Sequence, residues 1–355
     1  MNLSPKLSVI IPTYNRATLL RKTLESVIAQ TFSDYEIIVV DDGSTDRTEE
    51  VIAGFLNDSP GLEGRFRYFF QKNQGKPVAL NRGLAEARGE WIAFLDSDDL
   101  WLPNKIAEQF RTLEQYAPQS QACFTDAGFI NNPDFRETAF GCAGKKFTGR
   151  TGVLSDLSEL VGKFWIYIQT VLLHSRVLAK VGEFDRHFWI GDDEDFIFRL
   201  SLHTALCYIN SPLVLIDRTP QHQERLTELA SRRNYELLHL RQRMFEKWLS
   251  LTNTFGGDLQ AVLRNHLRGA YSEQANWLLV NRRYEEARRA TAWAVRTECK
   301  PGVLAKWFLA TAAPGLARHM VMRRSRYEDH RITEGAPLHD RPENGSRASA
   351  PEGLL

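Results

Sequence analysis

The sequence predicts an α/β fold: a mostly parallel sheet with helices on both faces, followed by a C-terminal helical region. Strand and helix signals alternate through the first 115 residues, which implies crossover connections between parallel strands. The run Trp91-Ile92-Ala93-Phe94-Leu95 is apolar without polar alternation, as in a central strand buried on both sides. That strand ends in Asp96-Ser97-Asp98-Asp99, three carboxylates in four positions, at the end of a strand where open α/β sheets bind ligands.

The elements follow in order. Leu7 to Ile11 reads as a strand, closed by Pro12-Thr13-Tyr14-Asn15. Thr18 to Gln30 carries Leu19, Leu20, Leu24, Val27 and Ile28 at helical spacing. Glu36 to Val40 is a second strand, stopped by Asp41-Asp42-Gly43-Ser44, and Ser44 or Thr45 is placed to cap a helix bearing Val51, Ile52 and Phe55. A short strand, Phe66 to Phe70, precedes the turn Asn73-Gln74-Gly75-Lys76, and a helix with Val78, Ala79, Leu80, Leu84 and Ala87 leads to the 91–95 strand. A further helix starts near Pro103. Residues 131 to 151 read as loops or an excursion over the sheet, Val171 to His174 as a strand, and Gly191-Asp192-Asp193-Glu194-Asp195 as the opening of a helix from Phe196 to His203. Acids in a first helical turn gain about 0.3–1 kcal/mol each from the macrodipole, which hardly accounts for four in a row.

From Ser231 onward the pattern is helical. Residues 270 to 301 have the small and apolar spacing of a helical hairpin, similar to one tetratricopeptide unit, which needs neighbours to cover its face. The expected organisation is therefore 1–230, 231–331 as a basic helical region, and 332–355 as a disordered tail rich in Pro, Gly, Ser and charge. The net charge of +1 conceals a division. Residues 1–230 hold 24 Lys/Arg against 31 Asp/Glu, whereas residues 231–331 hold 19 against 9. Such a basic half suits an anionic surface. Its aromatics are not interleaved with basic residues as a nucleic-acid stacking platform requires, so a peripheral contact with an anionic membrane is the expectation, through residues 303 to 322 and the following Arg323, Arg324 and Arg326. The other expectation for that stretch is that Trp307, Phe308 and Leu309 pack on the hairpin. The four cysteines form no Cys-x-x-Cys pair and no stretch reaches ~18 uninterrupted apolar residues. With no room for a signal peptide before the first strand, a cytoplasmic location is expected, with membrane contact at its inner face.

Four loops, Pro12–Asn15, Asp41–Ser44, Asn73–Lys76 and Asp96–Asp99, all follow strands, so a parallel sheet brings them to one edge. Taken alone, each acid has a plain reading as turn or capping chemistry. Together, Ser8-Val9-Ile10-Ile11-Pro12-Thr13-Tyr14-Asn15, Val39-Val40-Asp41-Asp42-Gly43-Ser44-Thr45-Asp46 and Phe94-Leu95-Asp96-Ser97-Asp98-Asp99 resemble glycosyltransferase family 2, the inverting, nucleotide-sugar-dependent transferases of Rossmann-like GT-A fold, over about residues 6 to 230.

The resemblance implies roles at matching positions. Pro12 and Tyr14 would floor the nucleobase site, and Asp42 would accept a hydrogen bond from the base edge, favouring a uracil or thymine imide. Asp96 would meet the ribose or the waters of a metal, and Asp98 would ligate Mg²⁺ or Mn²⁺ bridging the two phosphates of the donor, with His222 as a further ligand. Lys76 would add a positive contact to phosphate. Where many members carry an arginine before the asparagine of this helix, this chain has Leu80 beside Asn81. The base that deprotonates the acceptor hydroxyl would be Asp193, counted back from Arg199; Asp195 is the alternative, in a register two residues on.

The expected reaction is a single transfer from a nucleotide-diphosphate sugar, UDP-sugar foremost, to a glycan or lipid-linked acceptor in the synthesis of cell-surface polysaccharide, lipopolysaccharide or glycolipid. The Gln-x-x-Arg-Trp motif and membrane helices of processive relatives are missing from the sequence. Two other readings compete with this one. A nucleotidyltransferase of similar sheet would need a Gly-rich basic first loop in place of Pro12–Asn15. A catalytically retired scaffold would be free to lose the acids at 42, 98 and 193.

Overall fold

The computed structural model of the protein describes residues 4–131, 137–219 and 235–324. Strands β1 (Leu7–Thr13), β2 (Tyr35–Asp41), β3 (Phe66–Phe70) and β4 (Trp91–Phe94) pair in parallel in the order β3–β2–β1–β4. Their crossovers are helices α1 (Ala17–Ile28), α2 (Thr48–Asp58) and α3 (Lys76–Glu86). The apolar runs lack alternation because each face of the sheet has its own cover. Leu7, Val9 and Ile11 of β1 pack with Leu20, Leu24 and Val27 of α1 and with Ile52 and Phe55 of α2, while Ile10 faces Leu80 of α3 on the other side. Each such side chain contributes about 1.5–3 kcal/mol on leaving water.

The sheet continues from β4 through strands of mixed direction. The two-residue β5 (Leu100–Trp101), β6 (Ser120–Ile130), β7 (Thr151–Val153), β8 (Leu172–His174) and β9 (Ala205–Asp217) complete nine described strands in the order β3–β2–β1–β4–β8–β6–β9–β5, with β7 also on β9. β8 runs antiparallel to both β4 and β6, and β9 is parallel to β6, so six strands share one direction. β5 and β7 run against β9. Helix α4 (Lys105–Gln115) covers β6 and β9, and α5 (Ala139–Cys142), within the 131–151 stretch, and α6 (Leu178–Val181) are single turns.

Helix α7 spans Asp192–Ser201, four residues earlier at its start than the spacing of its apolar residues suggests. Gly191 precedes it with φ 80°, a left-handed conformation suited to glycine, and turns the chain so that all four acids lie within the helix. The remaining helices are α8 (Tyr235–Leu251), α9 (Gly257–Val280), α10 (Tyr284–Thr297), α11 (Pro301–Ala312) and α12 (Pro314–Arg324). The expected hairpin is α9 and α10, joined at Asn281–Arg283. Its interface of Ala275, Leu278, Leu279, Ala287 and Ala290 is closed by Ala310 of α11 and Ala317 of α12, the neighbours that an isolated pair would lack. Among the described residues, no helix is long and apolar enough to cross a membrane.

Candidate active site

The parallel strands β1, β2 and β4 end side by side, and the loops that follow them are bonded to one another. Asn15 has φ 51°; its N–H donates to Ser44 Oγ (2.8 Å) and its Oδ1 accepts from Thr45 N (2.8 Å). Asp46, rather than Ser44 or Thr45, begins the next helix: Oδ1 accepts from Thr48 N (3.1 Å) and Oδ2 from Ala17 N (3.0 Å), so one carboxylate serves the N-termini of α1 and α2. Gly43, at φ 84°, lies where an added Cβ would come within 2.8 Å of Asn73 N, and the close approach of these two loops therefore requires glycine.

Within this frame the acids separate by environment. Asp41 accepts from Ser44 N (2.7 Å) and from the Tyr68 hydroxyl (3.0 Å). Asp42 is buried, with Oδ1 accepting from Gln71 Nε2 (2.8 Å) and Gln74 N (3.0 Å) and Oδ2 from Gly75 N (2.7 Å). Burial raises its pKa, and these three bonds oppose the rise. The carboxylate expected to read a nucleobase thus also shapes the 71–75 loop. Pro12 is buried within β1 opposite Val40, whereas the Tyr14 side chain is 45% exposed at the edge.

Asp96 and Asp193 meet across Lys76. The ammonium lies 2.9 Å from Asp96 Oδ1 and 3.4 Å from Asp193 Oδ1, joining the first turn of α3, the end of β4 and the first turn of α7. Burial alone would lower the Lys76 pKa, but Asp193, Asp96 and Asp192 around it raise it well above the usual lysine value, so it stays charged. Asp193 Oδ2 also accepts from Ile168 N (3.4 Å). Burial pushes the Asp193 carboxyl up and Lys76 draws it back, with the net shift upward. Asp192 is raised further, by burial and by Asp193, and its Oδ2 has no hydrogen-bond partner among the described residues. Glu194 is pushed up to about 7 by burial.

Asp98 pairs with Arg16, Nε to Oδ2 at 3.6 Å. Arg16 was not anticipated from the sequence; its one signal is a cation directly after Asn15 in the first loop. Asp99, third acid of the run, turns inward: its Oδ1 accepts from Asp217 N (3.0 Å) and its Oδ2 from the Gln169 amide. Burial and the neighbouring Asp98 and Asp96 raise its pKa well above the ordinary value. Asp99 therefore ties the site strand to β9. Leu80 is fully buried in the core, while Asn81 clips α3 to Phe184 by reciprocal bonds (both 2.8 Å). His222 lies outside the described residues. His174 sits opposite Trp91, at the other end of β4 from the acids.

Asp195 belongs to the other side of α7. Two residues along a helix is about 200° of rotation, so Asp193 and Asp195 face apart. Asp195 is fully buried, with Oδ2 accepting from Arg199 Nε (2.9 Å) and Lys247 Nζ (2.9 Å) and Oδ1 from Trp248 Nε1 (3.1 Å). Removing one member of such a buried ionic group leaves the others uncompensated, at a cost of about 3–5 kcal/mol. Asp195→Ala is expected to lower the urea midpoint accordingly. A variant with an unchanged midpoint would show that α7 and α8 are not held together here.

The family model described as glycosyl transferase family 2 matches residues 8–174. An uncharacterized glycosyltransferase of Rickettsia typhi is 30% identical over 235 residues, which are 66% of this chain and 70% of that relative. The chain belongs to glycosyltransferase family 2. A family relative from Campylobacter jejuni, named GalNAc(5)-diNAcBac-PP-undecaprenol beta-1,3-glucosyltransferase, is 42% identical over 120 residues, 33% of this chain and 36% of that protein. The stronger local matches, at 42–48% identity, span only 15–36% of the relatives' own length. Among solved structures, S. aureus TarS 1–349 in complex with UDP-GlcNAc superposes with a TM-score of 0.64 at 16% identity, covering 91% of this chain and 93% of that one, a likeness of GT-A fold that extends through the helical region.

Proposed function

We propose that this family 2 glycosyltransferase moves one sugar from a UDP-sugar to an acceptor hydroxyl with inversion, in the synthesis of a cell-surface polysaccharide, lipopolysaccharide or glycolipid. The observation that carries the reading is Asp193, buried beside Lys76 and Asp96, on the sheet edge that also bears Asp42 and Asp98. In this reading Pro12 and Tyr14 floor the base, Asp42 accepts the imide N–H while keeping the 71–75 loop in shape, and Asp96 with Lys76 positions the donor's ribose and phosphate. Asp193, its pKa raised by burial, takes the proton of the attacking hydroxyl. Support for a uridine nucleotide comes from the UDP-GlcNAc complex of TarS, and for a lipid-linked acceptor from the undecaprenol-linked substrate in the name of the Campylobacter relative.

A divalent cation fits the donor set at Asp98. A carboxylate at a strand end, 22% exposed and 3.6 Å from Arg16, offers a hard oxygen ligand. Among the described residues, no three His, Cys, Asp or Glu side chains form a metal cage, so the diphosphate would furnish further oxygens. Asp98, with His222, would hold Mg²⁺ or Mn²⁺, which would supply positive charge to a departing diphosphate. The test of the reading is a donor panel with Mn²⁺ and UDP-, GDP- and dTDP-sugars, read as nucleotide released. UDP release above the others is expected, and no release from any donor would overturn the reading.

The basic helical region is proposed to rest on the inner face of an anionic membrane. Residues 299–327 contain no acid but Lys300, Lys306, Arg318, Arg323, Arg324 and Arg326, and on α11 and α12 Phe308 is 57% and Leu316 52% exposed. Trp307 and Leu309 are half-buried, and Leu309 packs on the hairpin, so only part of the aromatic stretch turns inward. Basic residues near such a surface add about 1 kcal/mol each. Co-sedimentation with anionic liposomes is expected at low salt, weakening as salt rises and disappearing when residues from Val303 onward are deleted. Absence of binding at low salt, or binding that survives the deletion, would remove the claim.

A further inference from the structure

We propose that Phe164 and Tyr167 form the platform for the acceptor, and that the acceptor is a pyranose whose apolar face lies on Phe164 while a hydroxyl reaches Asp193. The inference rests on Asp193 as the base and adds the chemistry of the group that meets it.

The segment before β8 passes directly beside Asp193. Ile168 N donates to Asp193 Oδ2 at 3.4 Å, so Tyr167 is one residue from the contact. Trp165 and Ile166 are buried, and Trp165 Nε1 is anchored on Glu159 O (2.9 Å), which leaves Phe164 and Tyr167 on the outer side of the segment. The two rings meet edge to face, with centroids 4.7 Å apart at 75°. On its other side Tyr167 meets Phe129, at the end of β6, at 6.1 Å and 82°. The Arg218 guanidinium lies 5.4 Å from the Phe129 ring centre and 5.8 Å from that of Tyr167. Tyr167 is thus fixed by ring edges and a cation, while Phe164 remains 39% exposed.

An exposed phenyl ring that packs on Tyr167, the residue before the one bonded to Asp193, brings two kinds of surface into one segment. The face of an aromatic ring is electron-rich, and it attracts the polarised, water-shedding C–H face of a sugar. The hydroxyls around the same sugar ring need acceptors and donors, which Asp193 and its polar neighbours supply. An acyl chain or an apolar peptide would instead need a run of exposed apolar side chains. Phe164 stands by itself in the 120–220 stretch as an exposed large apolar residue among the described ones, a footprint of one ring.

The experiment uses the full chain with Mn²⁺, a UDP-sugar that it hydrolyses, and as acceptor probes the methyl β-glycosides of glucose, galactose and N-acetylglucosamine against the open-chain polyol ribitol. At least one glycoside is expected to raise nucleotide release above hydrolysis, and ribitol is not. Phe164→Ala is expected to raise the acceptor KM five- to tenfold with a much smaller change in kcat, and Phe164→Tyr to restore the KM. Trp293→Ala, an exposed aromatic change on α10, should match the parent in both constants. Stimulation by ribitol equal to that by the glycosides, no stimulation by any glycoside, or an unchanged KM in Phe164→Ala would overturn the platform while the donor reading stands. A parent enzyme that releases no nucleotide from any donor overturns both.

Discussion

Asp193→Asn is expected to lose 10²–10⁴-fold in transfer rate, the range for removal of a positioned general base, and to keep the donor affinity of the parent. The amide preserves size and leaves the Ile168 N–H a carbonyl acceptor, so the fold at the start of α7 should survive. The pH profile gives a second readout. A base works ionised, and burial raises the Asp193 pKa above that of an ordinary aspartate despite Lys76. Activity should therefore fall as the pH drops through that raised value, and the residual activity of the asparagine variant should lack this limb. Near-parental rates in Asp193→Asn, combined with an inactive but folded Asp195→Asn, would move the base two residues along the helix.

Asp98→Ala is expected to abolish measurable transfer, a loss of about 10²–10³-fold or more, because several kcal/mol of charge stabilisation on the leaving diphosphate goes with the cation. The side chain stands at a strand end and is partly exposed, so thermal stability should change little. Chelation of the parent enzyme with EDTA should reproduce the loss, and added Mn²⁺ should rescue the parent but not the variant. Turnover indifferent to EDTA, or a variant with ordinary kcat, would sink the metal assignment.

The parallel half of the sheet was readable from composition because its strands are short, continuous and apolar, and each stops at a polar turn. β6 and β9 were not. The former, Ser120–Ile130, carries Gln121, Thr125 and Asp126 among its apolar residues, and the latter, Ala205–Asp217, is interrupted by Asn210-Ser211-Pro212. Their pairing shifts register at Thr125, Asp126 and Ala127, an irregularity that accommodates the proline and erases the period of two that a strand would show. Motif and order singled out the acids of the candidate site, but not how their surroundings differ. Nothing local separates Asp98 from Asp99, or Asp193 from Asp195. In each pair the difference lies in partners far along the chain, Asp217 and Gln169 for one, Lys247 and Trp248 for the other. Arg16 and the Gln71–Gly75 grip on Asp42 were missed for the same reason.

The bonds from Lys247 and Trp248 to Asp195 bear on how this enzyme could be taken apart. Trp248 is fully buried and stacks on Phe198 with ring centroids 4.1 Å apart, and Lys247 also reaches Asp185 at 2.9 Å. A shortened protein ending at residue 230 would retain every acid of the candidate site, yet expose the back of the helix that carries Asp193. The helical half is in this respect a brace for the helix that carries the proposed base, and exchanging it for the corresponding half of another transferase would succeed only if the incoming helix brought its own cation and indole to the same carboxylate.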